Sequence, residues 1–155
     1  MLVTPTDDEI VLERRDSDLF LAPQPGWDRF HLRFERDHGV AVVALSSGPD
    51  WYARTGHTAS PAPVADPAWA RLVGTYRSYN PWSPVFRVFS RRGRLLMAAP
   101  WLYPSDELEL VPLPEGGFRV GAADWLPSRI SFDTVVDGRA IRAVCDGAPF
   151  YRTFT

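Results

Sequence analysis

The chain contains no lysine: all 17 of its basic residues are arginine. A lysine general base, a Schiff-base lysine and the phosphate-gripping lysine of a P-loop are therefore excluded. Cysteine occurs once, at Cys145, which rules out an internal disulfide and leaves the redox compartment open. Histidine is scarce, and His31, His38 and His57 lack metal-ligand spacing, so no metal site is expected. No apolar run approaches transmembrane length, and the opening MLVTPTDDEI lacks both the basic leader and the apolar stretch of a signal peptide. The formal net charge is only −2, which favours neither nucleic acid nor an anionic membrane surface. The expectation is a soluble, cytoplasmic protein without cofactor, nucleic-acid or membrane partner.

What is present speaks for β structure. The 155 residues are 45% hydrophobic and 23% charged, enough for one domain or one and a half. Apolar residues alternate with polar ones in FHLRFE (30–35), DELEL (106–110), FRV (118–120), RISF (129–132) and AIRAVC (140–145). That period of two marks half-buried strands. Turn signals separate them: Asp37-His38-Gly39, Arg92-Gly93, Gly116-Gly117, Asp137-Gly138 and Asp146-Gly147. Only DPAWARLVG (66–74) reads as helical, with Asp66 as N-cap, Pro67 at the first position and Gly74 at the end.

A repeat organises the chain. Leu12, Phe20, Trp27 and Phe34 recur 98 residues later as Leu110, Phe118, Trp125 and Phe132. After a one-residue slip, GVAVVALSSGPDWY (39–52) aligns with GRAIRAVCDGAPFY (138–151), with five of fourteen positions identical. Large apolar residues held at fixed spacing while polar ones drift indicate one β-meander used twice. Residues 1–56 form a partial first copy, 57–66 a Pro/Ala-rich linker and 67–155 a complete unit. The first copy is expected to begin about thirty residues before Met1. That would leave an edge strand near Glu9–Glu13 without its neighbour, a pairing liability.

In the complete unit, LVGTYRSYNPWSPVFRVFSRRGRL, LELVPLPEGGFRVG and RISFDTVVDGRAIRAVCDGAPFYRTF occur in that order. This wording resembles the C-terminal lipocalin-like domain of bacterial, especially actinobacterial, serine hydrolases of the beta-lactamase and penicillin-binding-protein-like superfamily. The resemblance covers roughly 67–155 and implies an antiparallel barrel of about eight strands, packed on or beside a catalytic domain and contributing no catalytic residue. The superfamily's Ser-x-x-Lys cannot exist in a chain without lysine. Tyr79-Asn80 are adjacent rather than separated by one residue, so Tyr-x-Asn is absent as well.

Other chemistry finds little footing. Cys145 alternates with Ala143 and Ile141 and reads as a small core residue. Glu107 and Glu109 share one face, expected to be solvent, and Asp137 sits in a turn. Neither they nor Asp133 forms a carboxylate pair set apart in environment, as acid–base catalysis requires. ALSSGPD (44–50) is not Gly-x-Ser-x-Gly, and Ser46 becomes Cys145 in the slipped second copy.

The candidates that remain are Tyr76, Arg77, Tyr79, Trp82, Arg87, Tyr151 and Arg152. They come from the first two strands and the last strand of the complete unit, which are neighbours across the closure of an up-and-down barrel. They could form a pocket in which arginine grips a carboxylate or phosphate between aromatic walls. Alternatively the aromatics plug the barrel while arginine bonds to carbonyls or stacks on Trp82. The narrow bore of a small barrel favours the plug.

The expected architecture is thus all-β: a lipocalin-like up-and-down barrel, preceded by a partial second copy of the same meander, with one short helix. The expected role is a non-catalytic accessory domain. Its partner would be a serine hydrolase catalytic domain, or a further copy engaged through an exposed β edge. The alternative is a stand-alone barrel that binds a small hydrophobic or anionic ligand.

Overall fold

A computed structural model describes residues 2–3, 9–99 and 107–153 of the chain. Two compact units divide it, Met1–Pro61 and Ala62–Thr155. In the first, β1 (Leu2–Val3) pairs with β2 (Glu9–Ile10). An antiparallel sheet follows in sequence order: β3 (Glu13–Asp16), β4 (Leu19–Leu21), β5 (Leu32–Asp37), β6 (Ala41–Ser47) and β7 (Asp50–Ala53). Glu9–Ile10 of the expected edge has a two-residue partner, while β3, which begins at Glu13, is with β7 an edge of the five-stranded sheet among the described residues.

The second unit opens with a 3-10 turn, Pro67–Arg71, and continues as eight strands. These are β8 (Gly74–Arg77), β9 (Val85–Arg91), β10 (Arg94–Ala98), β11 (Glu107–Pro112), β12 (Phe118–Val120), β13 (Arg129–Val136), β14 (Arg139–Cys145) and β15 (Ala148–Arg152). Each pairs antiparallel with the next, and β15 returns to β8, so the sheet closes as an up-and-down barrel. Asp66 caps the 3-10 turn by accepting a bond from the Ala68 amide at 2.8 Å. The turn ends at Leu72, so Gly74 opens β8 instead of ending a helix.

The hairpins follow from turn chemistry. Arg92-Gly93, Asp137-Gly138 and Asp146-Gly147 each link paired residues through two positions, both with positive φ. This is the type I′ geometry whose twist matches flanking strands. At Gly93 space adds a second demand, since a Cβ would lie 2.0 Å from the Pro63 carbonyl oxygen.

Alternation along these strands turns Tyr76, Phe86, Val88, Leu95, Met97, Leu110, Val120, Ile130, Ala143 and Phe150 into one buried core. Each large side chain among them contributes about 1.5–3 kcal/mol by leaving water. Aromatic rings pack it through: Tyr76 stacks on Phe86 at 5.3 Å, and Phe86 meets Phe150 at 4.7 Å. Tyr76 also meets Phe132 at 5.5 Å, and Phe132 meets Phe118 at 5.9 Å.

The repeat is present in the hydrogen-bond ladders themselves. In the first unit Arg14 pairs with Phe20, Phe20 with Leu32, Leu32 with Ser47 and Ser47 with Asp50. Ninety-eight residues on, Pro112 pairs with Phe118, Phe118 with Ile130, Ile130 with Cys145 and Cys145 with Ala148. The one-residue slip expected over 39–52 is not kept by the strands. Leu45 stands opposite Phe34 as Ala143 stands opposite Phe132. A register shift after Glu35 accompanies the three-residue loop 38–40, which displaces Gly39 relative to Gly138. Of the five identities that suggested the slip, Gly39 and Gly48 lie in turns, while Ala41, Ala44 and Tyr52 lie in strands whose pairing keeps the offset of 98.

Candidate functional site

The barrel closes where β15 meets β8, with Tyr151 opposite Arg77 and Arg152 opposite Tyr76. Alternation sends Tyr76 and Arg152 inward and leaves Arg77 and Tyr151 on the outer wall. Tyr76 is fully buried. Its hydroxyl lies 2.8 Å from the Leu72 carbonyl and 3.2 Å from that of Ala140, acceptors for its one proton. Arg152 donates from Nε to the Ala140 carbonyl at 2.7 Å. Its Nη2 reaches the Arg71 carbonyl at 2.9 Å and the Tyr76 oxygen at 3.2 Å.

The guanidinium also lies over the Tyr76 ring, 5.4 Å from its centroid. Gly74 makes room for it, since a Cβ there would fall 2.8 Å from Arg152 Nη1. Burial pushes the Tyr76 phenol above its ordinary range, against the opposing pull of Arg152, so the group stays a neutral donor. With Trp69 and Leu72 packed on the core, this end of the barrel is plugged by its own chain.

The other candidates lie elsewhere. Tyr79 and Trp82 are 100% and 86% exposed on the 78–84 connection, at the opposite end of β8 from Gly74. That loop is built by the chain's single asparagine: Asn80 Oδ1 accepts from the Trp82 amide at 3.0 Å. The Ser78 amide donates to the Pro84 carbonyl at 2.9 Å across its base. Arg87 pairs with Thr75 between inward-facing Phe86 and Val88, which places it on the outer wall with Arg77 and Tyr151. The seven residues therefore occupy three places. Tyr76 and Arg152 are joined by a hydrogen bond.

Titratable groups are largely bound to partners. Glu107 and Glu109 are not a free solvent pair: Glu107 forms a half-buried bidentate pair with Arg91, and Glu109 lies 3.8 Å from Arg94. Asp133 receives two bonds from Arg142 across β13 and β14, at 2.7 and 2.6 Å, which hold its carboxyl below the usual range. The Cys145 thiol is pushed up to about 11 by burial and then by Asp146, which keeps it protonated and unreactive. Among the described residues no three His, Cys, Asp or Glu side chains gather as metal ligands, and no helix is long and apolar enough to cross a membrane.

One feature escaped the sequence reading. The concave side of the first unit carries a groove of about 520 Å³ lined by Trp27, Arg29, Phe30, Leu32, Leu45 and Tyr52, among others. The repeat held its signal: Tyr52 stands where Phe150 closes the barrel core 98 residues later. Compared with protein-family models, characterised proteins and solved structures, the chain finds no match.

Proposed function

We propose that the chain is a non-catalytic accessory module, a lipocalin-like barrel preceded in sequence by a partial copy, serving a beta-lactamase-like serine hydrolase. One observation carries the accessory role. The barrel interior is filled by its own aromatic side chains, and its inward polar groups, Tyr76 and Arg152, are spent on the carbonyls of Arg71, Leu72 and Ala140. Among the described residues a barrel so filled favours a role carried by its surface. The hydrolase partner is supported by the ordered phrases between 72 and 153. A stand-alone barrel for a small hydrophobic or anionic ligand draws less support, because such ligands need open volume between the strands.

The test has two arms. Purified chain should hydrolyse neither nitrocefin nor p-nitrophenyl acetate above the buffer rate. Turnover abolished by a serine-directed inhibitor would overturn the non-catalytic reading. Added to a beta-lactamase-like catalytic domain stripped of its own barrel, the chain should raise that domain's melting temperature or change its KM. No effect in either would remove the hydrolase as partner.

A further inference from the structure

The first unit reproduces the ladder of β11–β15 but shows no counterpart of β8 and β9 among its described residues. In the barrel those strands cover the concave side, where Phe86 lies against Phe150. Phe150 is 1% exposed, whereas Tyr52, at the same place in the first unit, is 59% exposed. Phe34 and Leu45, at the places of Phe132 and Ala143, are only partly covered. The arginine of the closure recurs as well. Arg54 stands where Arg152 does, with Nη1 3.4 Å from the Val42 carbonyl, the equivalent of the Ala140 carbonyl. The other two acceptors of Arg152, the Arg71 carbonyl and the Tyr76 hydroxyl, have no equivalent around Arg54 among the described residues.

Both borders of this open side match the barrel. β7 is the last strand of its sheet among the described residues, where β15 takes β8. On the other side Leu2 pairs with Ile10 and Val3 with Glu9, as Met97 pairs with Leu108 and Ala98 with Glu107.

We infer that the open side of the first unit is a docking surface for a polypeptide segment with the chemistry of residues 66–96. Its capped turn offers a backbone carbonyl to Arg54. Its Gly-x-Tyr strand lies along β7 and offers a phenol oxygen to the same guanidinium. The following strand sets a phenylalanine over Tyr52. The occupant is specified by the companion barrel, whose β8–β10 cover the same inward-facing pattern, and strand addition at an edge of the sheet supplies the backbone bonds. The inference goes beyond the accessory role and holds whichever enzyme the module serves.

The test joins a second copy of residues 66–96 ahead of Leu2 in the full chain, in the register that β1 prescribes. Amide exchange over Trp51–Gly56 should slow at least about tenfold, since an edge strand becomes an interior one. Arg54→Gln should remove most of that gain in the fused chain and leave exchange in β14 and β15 unchanged, which also reports that the barrel has folded. Unchanged exchange over Trp51–Gly56 overturns the inference. A concentration-dependent dimer of the unfused chain that dissociates on Tyr52→Asp overturns it too, by making a second copy the occupant. Neither result bears on turnover or on the hydrolase arm.

Discussion

Replacing Arg152 by methionine keeps the aliphatic stem and removes the guanidinium. Three hydrogen bonds disappear, to the carbonyls of Ala140 and Arg71 and to the Tyr76 hydroxyl, together with the cation over the Tyr76 ring. Hydrogen bonds from charged groups contribute about 1.5–3 kcal/mol each when buried. Arg152 is half-buried, and water can reach part of what it leaves, so the sum is discounted. The expected loss is about 2–4 kcal/mol, a fall of roughly 10–25 °C in the melting temperature of a unit this size.

The two units can unfold separately, so amide exchange in β14 and β15 should accompany the thermal scan. Arg152→Lys should recover at most about half the loss, because a single ammonium cannot reproduce the planar fork. A double-mutant cycle with Tyr76→Phe should give a coupling of about 0.5–1.5 kcal/mol. If Arg152→Met melts within about 0.5 kcal/mol of the parent, the guanidinium is surface decoration, and the barrel closes by its backbone ladder and aromatic core alone.

Gly74→Ala should push the same guanidinium off its acceptors and cost about 1 kcal/mol in chemical denaturation, with no further loss in an Arg152→Met background. Trp82→Ala should change stability by less than about 0.5 kcal/mol, since the ring is exposed and only the backbone amide serves the Asn80 turn. The Cys145 thiol should react with a disulfide reagent at pH 8 only after the barrel unfolds. Its raised pKa also makes stability pH-dependent: the contribution is complete below the ordinary thiol range and is lost as pH rises toward about 11, which urea titrations at pH 8 and pH 10.5 would register. Asp133 works in the opposite sense. Its lowered pKa contributes at neutral pH, the contribution fades as pH falls through the ordinary carboxyl range, and Asp133→Asn should flatten that acid limb.

The sequence revealed the β class because its turns are chemically explicit: the residue–glycine pairs at 92–93, 137–138 and 146–147 adopt the positive φ that only a few residues tolerate. It also carried the offset of 98, since inward-facing residues are constrained by packing while outward ones drift. It misplaced the slip over 39–52, because identities counted along the chain say nothing of facing, and the register shift after Glu35 is not written in any residue type. Proximity along the chain likewise overstated the cluster in GTYRSYNPWSP. Alternation turns Tyr76 inward and Arg77 outward, and Tyr79 and Trp82 lie past the end of β8 on an exposed loop. The groove beside Tyr52 was legible only through the repeat: the offset of 98 sets Tyr52 at the place of Phe150, and no counterpart of β8 and β9 stands over it among the described residues.

The contact between Arg152 and Tyr76 joins groups 76 residues apart in sequence. Every other barrel pairing links consecutive strands, so those hairpins can form early, while this seam must wait for the chain between its ends to be ordered. Bonds made after the rate-limiting step hardly change how quickly a protein folds; they change how long it stays folded. Arg152→Met should therefore leave the refolding limb of a chevron nearly unmoved and raise the unfolding rate by most of the equilibrium loss. The half-buried arginine thus sets how long the barrel stays closed more than how fast it closes.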